Sequence, residues 1–194
     1  SRTAITYNNS PDIPFDRSIN AFRGCEHGCV YCYARPTHAY LGLSPGQDFE
    51  SKLFAKFDAA KLLKKELGKK NYKCRAIALG TNTDPYQPIE QKLEITRQIL
   101  EVLDAHNHPV TIVTKSSRII RDLDILSRMA ERNLVFAALS VTTLDRDLAR
   151  TMEPRAATPG RRLEALAELA AAGVSTGVMV APMQGLTTAT KLSS

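Results

Sequence analysis

From about residue 17 onward, short β-branched or apolar runs alternate with longer stretches of helical period, the pattern of βα units feeding a parallel sheet. The runs predict five strands, over Ser18 to Arg23, Arg75 to Leu79, Val110 to Thr114, Leu134 to Val141 and Val174 to Ala181. The last three are almost continuously apolar, as expected of strands covered on both faces. Between strands, three sets of side chains fall on helical stripes: Ile95, Ile99, Val102 and Leu103; Ile119, Leu123, Leu126 and Ala130; and Leu163, Leu166, Ala167 and Ala170. Pro159 and Gly160 open the third helix, and Gly173 suits the position after its end, where φ turns positive. The stretch between the first two strands is too long for a simple crossover. It holds a loop, a short helical piece near His38 to Leu41, a turn at Ser44-Pro45-Gly46 and a basic helix over Asp58 to Leu67. Loops of that length usually carry function.

Composition narrows the class. The chain has 194 residues, 43% of them apolar, with 10 Gly and 10 Pro, which fits a globular domain and excludes disordered, collagenous and disulfide-stapled chains. The longest uncharged stretch, Leu169 to Thr190, is broken by Gly173, Gly177, Pro182 and several Thr, so no membrane segment is expected. The first residues lack the layout of a secretory signal, and a cytoplasmic location is expected. The net charge of +6 is concentrated in Lys61, Lys64, Lys65, Lys69, Lys70, Lys73 and Arg75, set against Glu66 alone. Such a cluster attracts nucleic acid or forms a solvated helix end. The helix from Asp58 runs antiparallel to the strands and delivers Lys69, Lys70 and Lys73 to the end of the sheet away from the strands' carboxyl ends.

Three of the four cysteines, Cys25, Cys29 and Cys32, lie in GCEHGCVYCY directly after the first predicted strand. Three thiols within eight residues can wrap one metal centre, and in a reducing compartment they are ligands rather than disulfide partners. Zinc would need a fourth ligand from His27 or His38, although structural zinc sites usually build from two separated ligand pairs. An iron-sulfur cubane held by three cysteines leaves one iron open. Cys74 falls at the start of the second strand, at the opposite end of the sheet.

The C-x3-C-x2-C spacing with Tyr31 before the last cysteine resembles the radical S-adenosylmethionine (SAM) superfamily. The run RSINAFRGCEHGCVYCYARPTHAYLG, with GTNTDPYQPIE and SVTTLDRDLARTMEPRAATPGRR downstream, resembles its spore-photoproduct-lyase-like branch over most of residues 5 to 182. The resemblance implies an α/β fold, a partial TIM-like barrel with about five βα units present and ending after the fifth strand. Residues 1–16 are then an N-terminal extension, 17–182 the radical SAM core and 183–194 an atypical tail.

It further implies a 4Fe-4S cluster on Cys25, Cys29 and Cys32, with SAM on the open iron. Tyr31 would contact adenine and Tyr33 would lie near the radical path. At the strand ends, Thr83 and Asp84 would meet the SAM amino group, Lys115 its carboxylate, Ser140 and Thr142 its methionine or ribose part, and Val180 to Pro182 its adenine. Glu153, Pro154 and Arg155 either shape the same pocket or form a surface pair. The lyase's hydrogen-returning cysteine has no counterpart in Thr81-Asn82-Thr83, so photoproduct repair itself is not expected. The partners implied are a substrate that the sequence does not specify, nucleic acid among the candidates, and an electron donor such as flavodoxin or ferredoxin. Membranes are not among them, and the fifth strand's unpaired edge favours self-association. The alternatives are an iron-sulfur or zinc protein without SAM chemistry, and an inactive, truncated piece of such an enzyme.

Overall fold

A computed structural model describes residues 2–182. In chain order the elements are β1 (Thr6–Tyr7), β2 (Arg17–Ile19), β3 (Phe22–Arg23), a 3-10 helix (Arg35–Leu41), α1 (Gln47–Ser51), β4 (Phe54–Ala55), α2 (Ala59–Leu67), β5 (Ile77–Leu79), α3 (Glu90–Leu93), α4 (Ile95–Ala105), β6 (Val110–Thr114), a second 3-10 helix (Ser117–Asp122), α5 (Leu123–Ala130), β7 (Val135–Ser140), α6 (Arg146–Met152), α7 (Pro159–Ala171) and β8 (Ser175–Met179). The main sheet runs β1-β2-β5-β6-β7-β8. Its last five strands are mutually parallel, and β1 adds to the edge in antiparallel sense.

Strand order follows chain order, so every crossover steps in the same direction. With the usual right-handed crossover this puts the helices on one face of the sheet. The core forms there, from Ile77, Leu79, Val110, Ile112, Val135, Ala137 and Leu139 of the strands against Leu63, Ile99, Leu103, Leu126, Ala165 and Leu169 of the helices. The expectation of strands covered on both faces is corrected accordingly. Phe136 and Met179 remain substantially exposed on the face opposite the helices, and Val178 and Val180 on the helix face, where β8 is the edge strand and no helix among the described residues covers them.

Three helices end in the same way. Asn107, Asn133 and Gly173 take positive φ of 49°, 55° and 80°. The amide two residues beyond each helix's last carbonyl-capped turn then bonds back, as His108 N to Leu103 O (2.9 Å), Leu134 N to Met129 O (3.0 Å) and Val174 N to Leu169 O (3.0 Å). This Schellman closure satisfies the free carbonyls and turns the chain straight into β6, β7 and β8.

The structure revises several expected bounds. The first strand is two pieces: β2 stays in the sheet, whereas β3 leaves it to pair with β4. The second strand starts at Ile77 rather than Arg75. Within the N-terminal stretch, β1 joins the sheet and Ala4 and Ile5 enter the core. On α7 the expected stripe is out of phase: Leu163 and Ala170 face outward, and the buried face is Pro159, Arg162, Ala165 and Leu169. An inward arginine sets that phase. The tail 183–194 lies outside the described residues.

Candidate active site at the carboxyl ends of the strands

Parallel strands bring their carboxyl ends to one edge, and the sequence after each end there carries polar residues. Register does the fine placement. Thr114 pairs with Leu139, so the next residues along, Lys115 and Ser140, stand side by side. Lys115 Nζ donates to Ser140 Oγ at 2.6 Å, lies 3.8 Å from Glu153 Oε1 and sits 5.7 Å over the centre of the Tyr31 ring. Burial holds the Lys115 ammonium below its usual pKa, against the opposite pull of Cys29 and Asp84. Thr142 Oγ1 donates to Glu153 Oε1 at 3.1 Å, and the Tyr31 hydroxyl donates to the same oxygen. Three of the residues expected from sequence, Tyr31, Lys115 and Thr142, therefore converge on one carboxylate, and Ser140 joins them through Lys115.

That carboxylate, Glu153, is 2% exposed. The alternative of a surface pair with Arg155 is corrected: its partner is Arg162, 1% exposed, on α7. Arg155 turns instead to the cysteine loop, where its side chain grips Glu26 O and Glu50 and its amide donates to His27 O at 3.2 Å. Arg35 completes the clamp, donating to Cys29 O at 3.0 and 3.1 Å and to Glu50 Oε1 at 2.5 Å. Gly28 is required here, because its φ is +69° and a Cβ would stand 2.5 Å from Arg155 Nη2.

Asp84 is fully committed to the fold. Its Oδ1 accepts from Thr114 Oγ1 (2.6 Å) and Tyr86 N (2.8 Å), and its Oδ2 from Lys115 N (2.7 Å), with His27 Nδ1 at 3.3 Å. Burial pushes the carboxyl up, but His27 and these donors bring it down to about 2. Burial likewise opposes charge on His27, and Asp84 overrides it, raising the imidazole to about 10. Thr83 is also turned inward, donating to Phe22 O at 3.0 Å. Val180 and Pro182 stand exposed just beyond β8, and Tyr33 is 76% exposed.

The loop between β3 and the first 3-10 helix presents Cys25 and Cys29 buried and Cys32 half-buried, with Cys74 exposed far away before β5. Burial raises the thiols of Cys29, to about 12, and Cys32. Among the described residues no three His, Cys, Asp or Glu side chains converge as ligands of a single ion. His38 is committed elsewhere, packed on Phe49 with Nε2 3.0 Å from Lys52 O, and His27 faces Asp84. A donor set of three thiols from one loop, without a gathered fourth ligand, fits an iron-sulfur cluster better than zinc. In a cluster each cysteine holds a different iron, so the thiols stand farther apart than the ligands of one ion.

Sequence reasoning overlooked Arg162, Arg35 and Glu50, and considered His27 only as a zinc ligand and Arg155 only as a pocket or surface-pair residue. Only Arg162 left a signal, sharing a helical stripe with Ala165 and Leu169.

Comparison with known proteins gives the family and the fold. The chain is 39% identical over 175 residues to an uncharacterized protein of Mycobacterium tuberculosis, covering 90% of this chain and 52% of that protein. It is 27% identical over 165 residues to an uncharacterized protein of Methanocaldococcus jannaschii, covering 85% of this chain and 59% of that one. The chain thus spans about half the length of the curated relatives it matches. Among solved structures, spore photoproduct lyase complexed with dinucleoside spore photoproduct superposes with a TM-score of 0.67 at 20% identity, over 92% of this chain and 49% of that one. The cobalamin-dependent SAM radical enzyme OxsB superposes with a TM-score of 0.53 at 13% identity, over 83% of this chain and 23% of that one. These likenesses show a shared fold. The family model described as the radical SAM superfamily, whose members use an iron-sulfur cluster and SAM, matches residues 19–189, and the chain belongs to that superfamily.

Proposed function

We propose that this chain is the catalytic core of a radical SAM enzyme, with one 4Fe-4S cluster on Cys25, Cys29 and Cys32 and SAM bound along the carboxyl ends of β5 to β8. The sheet then serves as part of a partial barrel. The observation that carries the reading is the meeting, at one strand-end edge, of the three-cysteine loop with Tyr31, Lys115, Ser140, Thr142 and Glu153. When bound, the cluster and SAM supply one-electron cleavage of the sulfonium to methionine and a 5′-deoxyadenosyl radical. The protein's residues position and shield.

Lys115 is the cation for the SAM carboxylate, Ser140 and Thr142 line the methionine or ribose part, and Tyr31 with Val180 and Pro182 flank adenine. Asp84 and Thr83 serve that region by fixing the strand ends and His27, since their polar atoms already have partners. Tyr33, exposed beside Cys32, is the residue placed to meet a substrate or the radical path. The electron comes from a small redox protein such as a flavodoxin or ferredoxin. The lysines of residues 61–73 lie on α2 and the approach to β5, at the sheet's other end, so they give no support to a nucleic-acid substrate at this site. No helix among the described residues is long and apolar enough to cross a membrane.

The test is anaerobic reconstitution with iron and sulfide, followed by SAM and dithionite. One 4Fe-4S cluster is expected, lost in Cys25→Ala, Cys29→Ala or Cys32→Ala and retained in Cys74→Ala, with 5′-deoxyadenosine formed by the unaltered chain. Stoichiometric zinc without iron, or a cluster whose paramagnetic spectrum ignores SAM, refutes the reading.

A further inference from the structure

Lys115 sits within reach of a buried carboxylate, which would ordinarily capture it. Arg162 alters that balance. Its Nε donates to Ala157 O (2.7 Å), its Nη1 to Ser140 O (2.7 Å) and its Nη2 to Glu153 Oε2, so one guanidinium ties α7, the end of β7 and the loop after α6 to the acid. The Arg162–Glu153 contact is a direct ion pair with both side chains out of solvent, whereas Lys115 reaches only 3.8 Å from the other oxygen and gives its hydrogen bond to Ser140. The groups facing Lys115 are Glu153, Asp84, Cys29, Cys32, Tyr31 and Arg162. Asp84 is held by Thr114 Oγ1, Tyr86 N, Lys115 N and His27. Of the ion-pairing side chains at this corner, one acid, Glu153, stands against two bases, and Arg162 holds it directly while Lys115 does not.

We infer that Arg162 is a positioning residue that neutralises Glu153 permanently and so leaves Lys115 uncommitted, setting the site's preference for a ligand that brings a carboxylate. The inference rests on the reading of Lys115 as the partner of the SAM carboxylate. Two bases facing one acid make the site selective by charge count: a carboxylate-bearing ligand completes the balance, and its decarboxylated analogue leaves Lys115 unpaired in a poorly solvated place. Glu153 also receives the Tyr31 and Thr142 hydroxyls, fixing the aromatic ring beside the ammonium.

The test is anaerobic calorimetric titration of the cluster-loaded protein, without reductant, with SAM and with decarboxylated SAM. The readout is the ratio of the two affinities, in which effects on adenosine and sulfonium contacts cancel. Arg162→Met lowers the preference for SAM by about tenfold, because Glu153 then captures Lys115, and Glu153→Gln raises it by about tenfold. The double variant returns to within about threefold of the unaltered protein, the coupling expected when one charge acts by screening another. A purely architectural pair would weaken both ligands together, leave the ratio unchanged in Glu153→Gln and show no rescue, and any of these overturns the inference. Should Arg162→Met fail to fold, Glu153→Gln alone decides, an unchanged or lowered ratio being fatal. Lys115→Ala separates the two readings: if it leaves the ratio unchanged, the assignment of Lys115 fails, whereas if it lowers the ratio about tenfold while Arg162→Met does not alter it, only the role of Arg162 fails.

Discussion

Gly80 is where the fold and the site are joined most tightly, and replacing it by alanine tests that junction. It follows β5 directly, with φ at +90°, and a Cβ built there would lie 2.0 Å from Val113 O and 3.0 Å from Val113 C, both main-chain atoms of β6. No rotamer relieves an overlap with backbone, so the turn at 80–84 must move away from β6 by about 1.5 Å to reach ordinary contact. Left-handed backbone costs an L-residue about 1–2 kcal/mol, and forced overpacking adds about 1–3 kcal/mol. The sum, about 2–5 kcal/mol, is a large part of a typical net stability of about 5–15 kcal/mol. The strain also falls on the bonds from Thr114 Oγ1 and Lys115 N to Asp84, which set the start of the segment carrying Lys115. Urea unfolding followed by circular dichroism should show Gly80→Ala lowering the midpoint by about 1 M or more with little change in slope. The melting temperature should drop by roughly 4–20 °C for a chain of this size. Gly160→Ala is the control: no atom lies within 4 Å of its Cβ position, and the residue sits in the first turn of α7, so the change should be neutral or mildly stabilising. A Gly80→Ala protein within about 0.5 kcal/mol of the unaltered chain, below the usual effect of a disruptive substitution, would refute the steric argument.

Two further outcomes are expected. Tyr72 Oη lies 2.8 Å from His108 Nε2, whose Nδ1 faces Pro109 O at 2.9 Å, and burial lowers the His108 pKa below 6.5. The unfolded chain therefore takes up a proton on acidification that the folded one refuses, so this contribution is full above about pH 6.5 and is lost as pH falls below it. In denaturant titrations from pH 7.5 to 5.5, His108→Gln should show a shallower loss of stability than the unaltered chain, and an equal loss would exclude His108 as the source. At the other margin, β8 is bonded only to β7 among the described residues and exposes Val178, Met179 and Val180. Sedimentation should reveal concentration-dependent self-association that Val178→Lys reduces, since a charge on an edge strand opposes pairing; an unaltered chain that stays monomeric throughout would count against it.

Local pattern alone located the parallel strands, α2, α4 and the cysteine loop, because hydrophobic period and ligand spacing are written in neighbouring residues. Val110 to Thr114 is a strand at both of its expected ends, and Gly173 marks a helix end by a conformation that few other residues tolerate. The residues after the strand ends could likewise be read as site residues, since a parallel βα order sends all of them to one edge. What the sequence could not determine is which polar atoms are free. Asp84 and Thr83 have the chemistry to bind an amine, yet His27, distant in sequence, and the main chain of β3 and β6 occupy them. Glu153 and Arg155 look like an ordinary charged pair, and only the packing of α7 on β7 sends Glu153 to Arg162 and Arg155 to the cysteine loop. Two-residue strands such as β1 and β4 show no period of their own and exist because a neighbour offers hydrogen bonds. Burial makes these choices: a charge removed from water must take whichever partner the tertiary fold brings within reach, and that partner can lie anywhere in the chain.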